Sequence, residues 1–514
     1  MDLSRRSLLF LWVGLVLLIL IPRCWVALRA VSPNKDAIRY WSAADQWLTL
    51  PASQALTAIE TLPVYPALLA GIKWFGGATT PEAWWRSSQA LGILAYLLFL
   101  LAAFGVGIRL FGPIRAWWGC ALVSLLPRQI RYSVDILADN VSAALLWSAL
   151  AVLLFAMTKP RSYVSLGLVS LLLGFAALTR PDALVWGLVL GGMALVLVWK
   201  KELRLAQLML LVMPSVILLS AHAYLRGEIS PSNTARAFVG NATAGEPGAS
   251  DSKTPLDRIM PAANENQVIG FVVASGIAVW ELSQETRVLL LIFFAIGLWN
   301  GGLGQRRGVI LLGCLLVATF LMLVWCRWKA GFLTGRYFMP ILPILGFGAA
   351  AGIESTALYL WRLRWFANVP ESLAIRVAYA GSLLVAGVLA WPTVTQRLHA
   401  DRWAHRQAAD WLAHQTEPSQ SVFDPSWVSA FFSGRPMAIP TSLSSPAWAV
   451  LDCSMESSPP RGLEEAFELS AAGQVLVEFP RRPGSSEVAI RVTRLTPKTN
   501  HAEKDQTDPL PIRR

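Results

Sequence analysis

Charge is what this chain has least of. Only 15% of its 514 residues are Asp, Glu, Lys or Arg, against about 25% in an ordinary soluble domain. The deficit is concentrated in uninterrupted apolar runs such as Leu8 to Ile21, Leu91 to Ile108 and Val309 to Cys326. A run of roughly 20 residues matches a hydrocarbon core about 30 Å thick, so a single soluble domain is excluded. Histidine is scarce as well. His222, His399, His405, His414 and His501 match no common zinc spacing. Cys24, Cys120, Cys314, Cys326 and Cys453 form no CxxC pair, which excludes a disulfide framework and a zinc knuckle. GxSxG, HExxH and P-loop sequences are missing, so serine-hydrolase chemistry and ATP-driven transport lose support. No internal repeat appears, which weakens an inverted-repeat transporter.

What is present is apolar surface. Mean hydropathy is +0.49. Eleven stretches stand out, at about 8–28, 89–110, 116–128, 138–157, 164–178, 183–199, 206–225, 288–303, 308–326, 336–360 and 374–392. They predict an all-α polytopic membrane protein with about 11 transmembrane helices. Val268 to Trp280 is apolar but short, and reads as a re-entrant or surface-lying helix. Arg5-Arg6 precedes the first stretch, and Pro22-Arg-Cys-Trp25 follows it where a cleavage site would need small residues. The reading is a retained first helix with a cytoplasmic N-terminus. The net charge of +12 does not indicate nucleic acid. Much of it sits in alternate short loops: Arg109 with Arg115, Lys159 with Arg161, Lys200-Lys201 with Arg204, Arg306-Arg307, and Arg362 with Arg364. That alternation marks the cytoplasmic side. It places 29–88, 129–137, 179–182, 226–287, 327–335 and everything after 392 on the outer face, in what reads as a bacterial inner (plasma) membrane. Many of the 23 tryptophans lie at span ends, as an interfacial belt does.

Three regions follow. Residues 1–392 form the membrane part. Residues 393–496 form a small α/β or α+β domain, with a helical pattern over Arg402 to His414 and strand-like runs at Ser421 to Phe423, Gln474 to Phe479 and Val488 to Val492. Residues 497–514 are polar and read as a disordered tail.

Chemistry-bearing residues gather in the outer loops. Asp36 lies in Asn34-Lys-Asp-Ala-Ile-Arg-Tyr40, at the start of a stretch with helical apolar spacing to Leu50. Glu60 precedes Leu62-Pro-Val-Tyr65-Pro66, where two prolines pin Tyr65 at the start of an apolar helix. Pro127 to Asn140 carries Arg128, Arg131, Asp135 and Asp139 between two apolar stretches, where charge is costly. A continuous helix there would set Asp135 and Asp139 on one face, with Arg131 one turn before Asp135. Arg180-Pro-Asp182 joins two further stretches, and Arg327, Lys329 and Arg336 with Tyr337 set cations where a phosphate would suit them. Each group also has a plainer reading, as a helix-terminal charge, a loop ion pair or an interfacial anchor.

In order, these pieces resemble the C-class glycosyltransferases, polytopic enzymes that take a sugar from a polyprenyl-phosphate carrier. The branch containing protein O-mannosyltransferases and lipid A aminoarabinose transferases is the most similar. The resemblance rests on Asp36 with Tyr40, Pro63-Val-Tyr-Pro66, Arg131-Tyr-Ser133 with Ile136-Leu-Ala-Asp139, Gly174 to Pro181, Arg336-Tyr-Phe-Met-Pro340, and the tail phrases Ala408-Ala-Asp-Trp-Leu412 and Phe432-Ser-Gly-Arg-Pro436. It implies an inverting transferase with Asp36 as catalytic base and Asp139 as the second catalytic acid. Glu60, Tyr65, Arg131, Arg180, Lys329, Arg336 and Tyr337 would bind substrate. The implied partners are a polyprenyl-phosphate-linked sugar donor, membrane lipid, and a protein, lipid or glycan acceptor. Some relatives hold a divalent metal and others none, so the resemblance leaves a metal open. One departure stands out: the family often has two adjacent acids in the first loop, whereas Lys35 and Ala37 flank Asp36 here. The rival reading is a membrane transporter or polyprenyl-lipid flippase. It would need charge deep inside the spans.

Overall fold

The computed structural model describes residues 4–59, 61–157, 163–226, 267–300, 306–330, 333–362, 369–417, 419–424, 428–435, 447–453, 474–480 and 488–495. Glu60, Lys159, Arg161, Arg364 and the tail from 496 onward lie outside them. The chain divides into two compact units, Met1–Ala30 with Arg39–Leu398, and Val31–Ile38 with His399–Arg514. The sequence had placed the whole of 29–88 with the membrane part. Instead Val31–Ile38 joins the C-terminal unit, where Arg402 donates to the Pro33 carbonyl.

The first unit is helical throughout its described residues. Its helices are α1 (Arg5–Arg29), α2 (Lys35–Thr49, of which the first residues belong to the second unit), α3 (Ala52–Ala58), α4 (Val64–Gly76), α5 (Pro81–Phe111), α6 (Pro113–Ser124), α7 (Pro127–Val134), α8 (Ala138–Ala156), α9 (Tyr163–Ala177), α10 (Leu184–Trp199), α11 (Leu205–Arg226), α12 (Gln267–Thr286), α13 (Leu289–Trp299), α14 (Arg306–Ala330), α15 (Leu342–Arg362) and α16 (Glu371–Thr395). Their starts follow local chemistry. Ser4 caps α1 through the Ser7 N–H, and Thr80 caps α5 through the Ala83 N–H with Pro81 in its first turn. Among the described residues nine helical stretches are long and apolar enough to cross a membrane, and α9 and α13 are shorter apolar helices. The chain is an integral membrane protein of helices.

The core is built mainly from large apolar and aromatic side chains. Tyr96, Phe99, Phe104, Trp147, Trp186 and Phe347 are fully buried, contributed by α5, α8, α10 and α15. One charge sits among them. Arg23 in α1 is wholly buried, donates to the carbonyls of Ile19 and Ser124 (2.9 Å each), and lies 4.1 Å over the Tyr96 ring. The arginine is tolerated because carbonyls and a ring face replace its water.

Helix α12 is longer than its apolar run, because Glu281 to Thr286 continue it. Its length and composition suit a crossing, yet both its ends meet one end of the bundle. Phe271 packs edge-on against Trp328 (5.8 Å) near the C-terminus of α14. Glu285 abuts Gly335, just beyond that terminus.

The second unit holds α17 (Trp403–Gln415), α18 (Val428–Ser433) and a four-stranded sheet, β1 (Val422–Phe423), β2 (Ala447–Asp452), β3 (Gln474–Pro480) and β4 (Val488–Leu495), in the order β1-β2-β4-β3. β1 and β2 are parallel, and the other pairs antiparallel. Ala404, Ala408 and Leu412 of α17 pack on Val422, Val450, Ile490 and Val492. β2 is the strand not predicted from sequence.

Candidate functional site

The site is built where α7, α8, the α9–α10 turn and the 3-10 segment Gly335–Ile341 converge. Arg180 has extended backbone and precedes the 3-10 turn Pro181–Ala183, which aims its side chain back toward the start of α8. Its Nη1 donates to Asp139 Oδ1 (2.5 Å) and its Nε to Asp182 Oδ1 (2.9 Å). The guanidinium lies 4.4 Å over the Tyr337 ring, and Arg336 lies 5.6 Å from the same ring. Burial acts to lower the Arg180 pKa, but the Asp139 and Asp182 carboxylates more than offset it, and the net shift is upward. Arg180 is a fixed cation.

Asp139 is buried, and its second oxygen, Oδ2, has no hydrogen-bond partner among the described residues. Tyr65, in the first turn of α4, is fully buried with its hydroxyl likewise unpaired. Burial first, then Tyr40 and the Asp139 and Asp135 carboxylates, push the Tyr65 phenol well above its ordinary range. Tyr40 from α2 packs edge-on against it at 4.8 Å. The turn that carries Tyr65 is pinned twice. Val64 N–H donates to the Leu178 carbonyl, and Arg226 gathers the carbonyls of Leu56, Ile59 and Thr61. Unpaired buried polar atoms are rare because each costs about 1–3 kcal/mol. A carboxylate oxygen and a phenol of this kind, electrostatically coupled, are what a hydroxylated ligand would satisfy.

Beside this lies a second network. Glu285, fully buried at the end of α12, accepts from Arg128 (2.8 Å), Tyr132 (3.1 Å) and Gln129 (3.2 Å), and Arg128 also reaches Glu281 (3.4 Å). Burial and the Glu285 carboxylate hold the Tyr132 phenol neutral, far above its usual range.

The expected helix carrying both Asp135 and Asp139 on one face does not form. Asp135 is extended (ψ 148°) and ends α7, and α8 starts at Ala138. The break turns Asp139 to Arg180 and leaves Asp135 with Arg131 at 3.9 Å. Arg131 is exposed, and Lys329 stacks on Trp328 at 3.7 Å. Asp36 lies half-buried in the first turn of α2, which Asn34 caps through the Ala37 N–H (3.0 Å). It belongs to the second unit, and Asp139, Tyr65, Arg131, Arg180, Lys329, Arg336 and Tyr337 to the first. The sequence reading missed Glu281 and Glu285. Their signal was two acids four residues apart closing an apolar run, where unpaired charge would be expensive. A metal does not fit what the first unit offers. Asp139 already faces a permanent cation, and no three His, Cys, Asp or Glu side chains gather among the described residues.

No family model matches the chain, and no curated protein matches it. Solved structures do. ArnT from Cupriavidus metallidurans bound to undecaprenyl phosphate is 13% identical with a TM-score of 0.60, over 96% of this chain and 98% of that one. Its apo form is 16% identical with a TM-score of 0.55, over 95% and 97%. The oligosaccharyltransferase of Archaeoglobus fulgidus tethered with an acceptor peptide is 13% identical with a TM-score of 0.55, over 88% and 70%. The fold defined by these helices and their C-terminal domain is that of the C-class glycosyltransferases.

Proposed function

We propose that this protein is an inverting membrane glycosyltransferase, which moves a monosaccharide from a polyprenyl-phosphate donor to an acceptor hydroxyl at the outer face of the membrane. The observation that carries the reading is the Asp139–Arg180–Tyr337 assembly around a buried Asp139, with an unpaired carboxylate oxygen and the unpaired Tyr65 hydroxyl. It occurs in a fold shared over nearly full length with a protein bound to undecaprenyl phosphate.

Asp36 is assigned as general base. The acceptor oxygen attacks the anomeric carbon as Asp36 takes its proton. The bond from that carbon to the phosphate oxygen breaks, and its electron pair leaves with the lipid phosphate. A positioned base contributes about 10²–10⁴-fold. The leaving phosphate gathers charge, which Arg336, Lys329 and Arg131 are assigned to balance. Arg180 is already neutralised by two carboxylates, so its role is to hold Asp139 and Tyr337 in place. Asp139 Oδ2 and Tyr65 are assigned to donor hydroxyls.

Purified protein and its Asp36→Asn variant test this. Mass spectrometry of co-purified lipid should find a polyprenyl-phosphate sugar on both. Sugar release from that donor should fall at least about a hundredfold in the variant, with lipid retention unchanged. Unchanged turnover removes Asp36 as base. Lipid carried across the membrane without cleavage of the sugar supports a flippase instead.

A further inference from the structure

Away from the candidate site, α13, α15 and α16 leave an apolar groove between them. Leu289 and Phe293 of α13 form one wall. Ile353, Ala357 and Leu360 of α15 repeat at helical spacing along a second. On α16 the facing positions are small, Ala378, Gly381 and Ser382, and these open the space. The cavity there measures about 340 Å³. It continues through Leu289, Phe293, Ile353 and Ser382 into a second apolar hollow that ends at Pro127, Thr286 and Arg287. The hydroxyls along it are spent on their own helices: Ser382 donates to Ala378, Thr356 to Gly352 and Thr286 to Leu282. From Ala378 to Leu389 the groove follows about 16 Å of α16.

One cation stands at its end. Arg287 and Val288 both have positive φ (54° and 60°), in the tight turn between α12 and α13. A β-branched residue there is strained, and such strain persists only where the surroundings impose it. The turn leaves the Arg287 side chain exposed at the mouth of the groove, without an ion pair, hydrogen bond or ring contact among the described residues. It lies at the end of the bundle that carries Glu285 and Arg128.

We infer that this groove binds one anionic phospholipid of the bilayer, with an acyl chain between α13, α15 and α16 and its phosphate on Arg287. The chemistry is a long apolar channel closed by a single unpaired guanidinium, which matches a tail bearing one phosphate. The groove shares no lining residue with the Asp139–Arg180 site, so a lipid seated there does not need the residues assigned to the sugar donor. The inference rests on membrane embedding and not on glycosyl transfer.

Native mass spectrometry of the full-length protein, released from vesicles of phosphatidylglycerol and phosphatidylcholine, tests it. Wild-type protein should retain one phosphatidylglycerol in preference to phosphatidylcholine. Arg287→Gln should cut that preference at least about tenfold. Gly381→Leu fills the groove, and nothing lies within 4 Å of a Cβ built there, so this variant should fold and lose the bound lipid of either headgroup. Equal retention by wild type and Arg287→Gln would overturn the proposal, as would retention of a polyprenyl phosphate in the lipid's place. Unaltered lipid retention in a folded Gly381→Leu protein would overturn the groove as its seat.

Discussion

Arg180 is the side chain on which the first unit's polar centre turns. It joins two carboxylates from different elements and a ring from a third. Breaking a buried pair from one side costs about 3–5 kcal/mol, because the abandoned charge stays buried. Arg180→Gln should therefore lower thermal stability in detergent by that order, and Asp139→Asn combined with it should recover part of the loss. Purely additive effects in that double-mutant cycle would show that the pair is not coupled. Arg180→Lys should restore only part of the stability, since one ammonium does not reproduce a planar fork over two acids and a ring. Tyr65 gives a pH prediction. Its folded pKa is raised, so the folded protein keeps this proton where an unfolded chain, with a phenol near 10, has released it. The stability this contributes is full below about pH 10 and is lost as pH rises beyond it. Unfolding midpoints measured from pH 8 to 11 should fall at the alkaline end, and Tyr65→Phe should flatten that fall. An identical alkaline slope in the variant would remove Tyr65 as its source.

Between elements, the Glu285 network packs directly against the 3-10 segment Gly335–Ile341, which carries Arg336 and Tyr337. Gly335 sits directly on Glu285: a Cβ built there would come 1.7 Å from Oε1. Trp147 Nε1 donates to the Pro340 carbonyl (2.8 Å) from the other side, so the segment has little room to retreat. Gly335→Ala is expected to displace Tyr337 and reduce donor turnover at least tenfold, while Gly381→Ala, in open space, leaves turnover unchanged and does not lower stability. Shortening the acid in a Gly335→Ala/Glu285→Asp protein should recover part of the turnover. If Gly335→Ala alone matches wild type, the packing does not position the ring. The sequence showed part of this. Periodicity and apolar runs were enough for a helical membrane architecture, and the loop ion pair that forms between Arg180 and Asp182 was one of the readings their spacing offered. The Asp135 break was not legible, because Arg131, Asp135 and Asp139 at four-residue spacing also suit an unbroken helix. Ser133 shows what decides it: its carbonyl lies 2.9 Å from a Cβ built on Gly92 of α5, a tertiary approach that no local pattern contains. The partners of Glu285 were not legible for a similar reason, since they come from α7, about 150 residues earlier.

For the molecule as a whole, topology is the property that most separates an enzyme working at one leaflet from a carrier that passes substrate through. Alternating basic loops indicated sidedness in the sequence, and helix length alone would add α12 to the crossings. Its contacts argue otherwise. Phe271 near one end and Glu285 near the other both reach the α14 end that leads to Gly335. Fourteen residues of helix span about 21 Å, so a helix crossing upright would carry these two residues to different depths. A helix lying along the membrane boundary brings both to one level and keeps buried Glu281 and Glu285 near water, at lower cost than mid-membrane. The short apolar run Val268 to Trp280 had suggested such a placement, and the polar extension to Thr286 lengthens the helix without moving it inward. Single cysteines at Val268 and Gln284, in a background lacking the exposed Cys24 and Cys314, should react with a membrane-impermeant maleimide from the same side. A cysteine at Lys200, between α10 and α11, should react only from the opposite side. Labelling of Val268 and Gln284 from opposite sides would make α12 a true crossing. It would place the Arg128–Glu285 network on the other side of the membrane from the start of α12, and a transport pathway would then regain the ground that the single-leaflet transferase now holds.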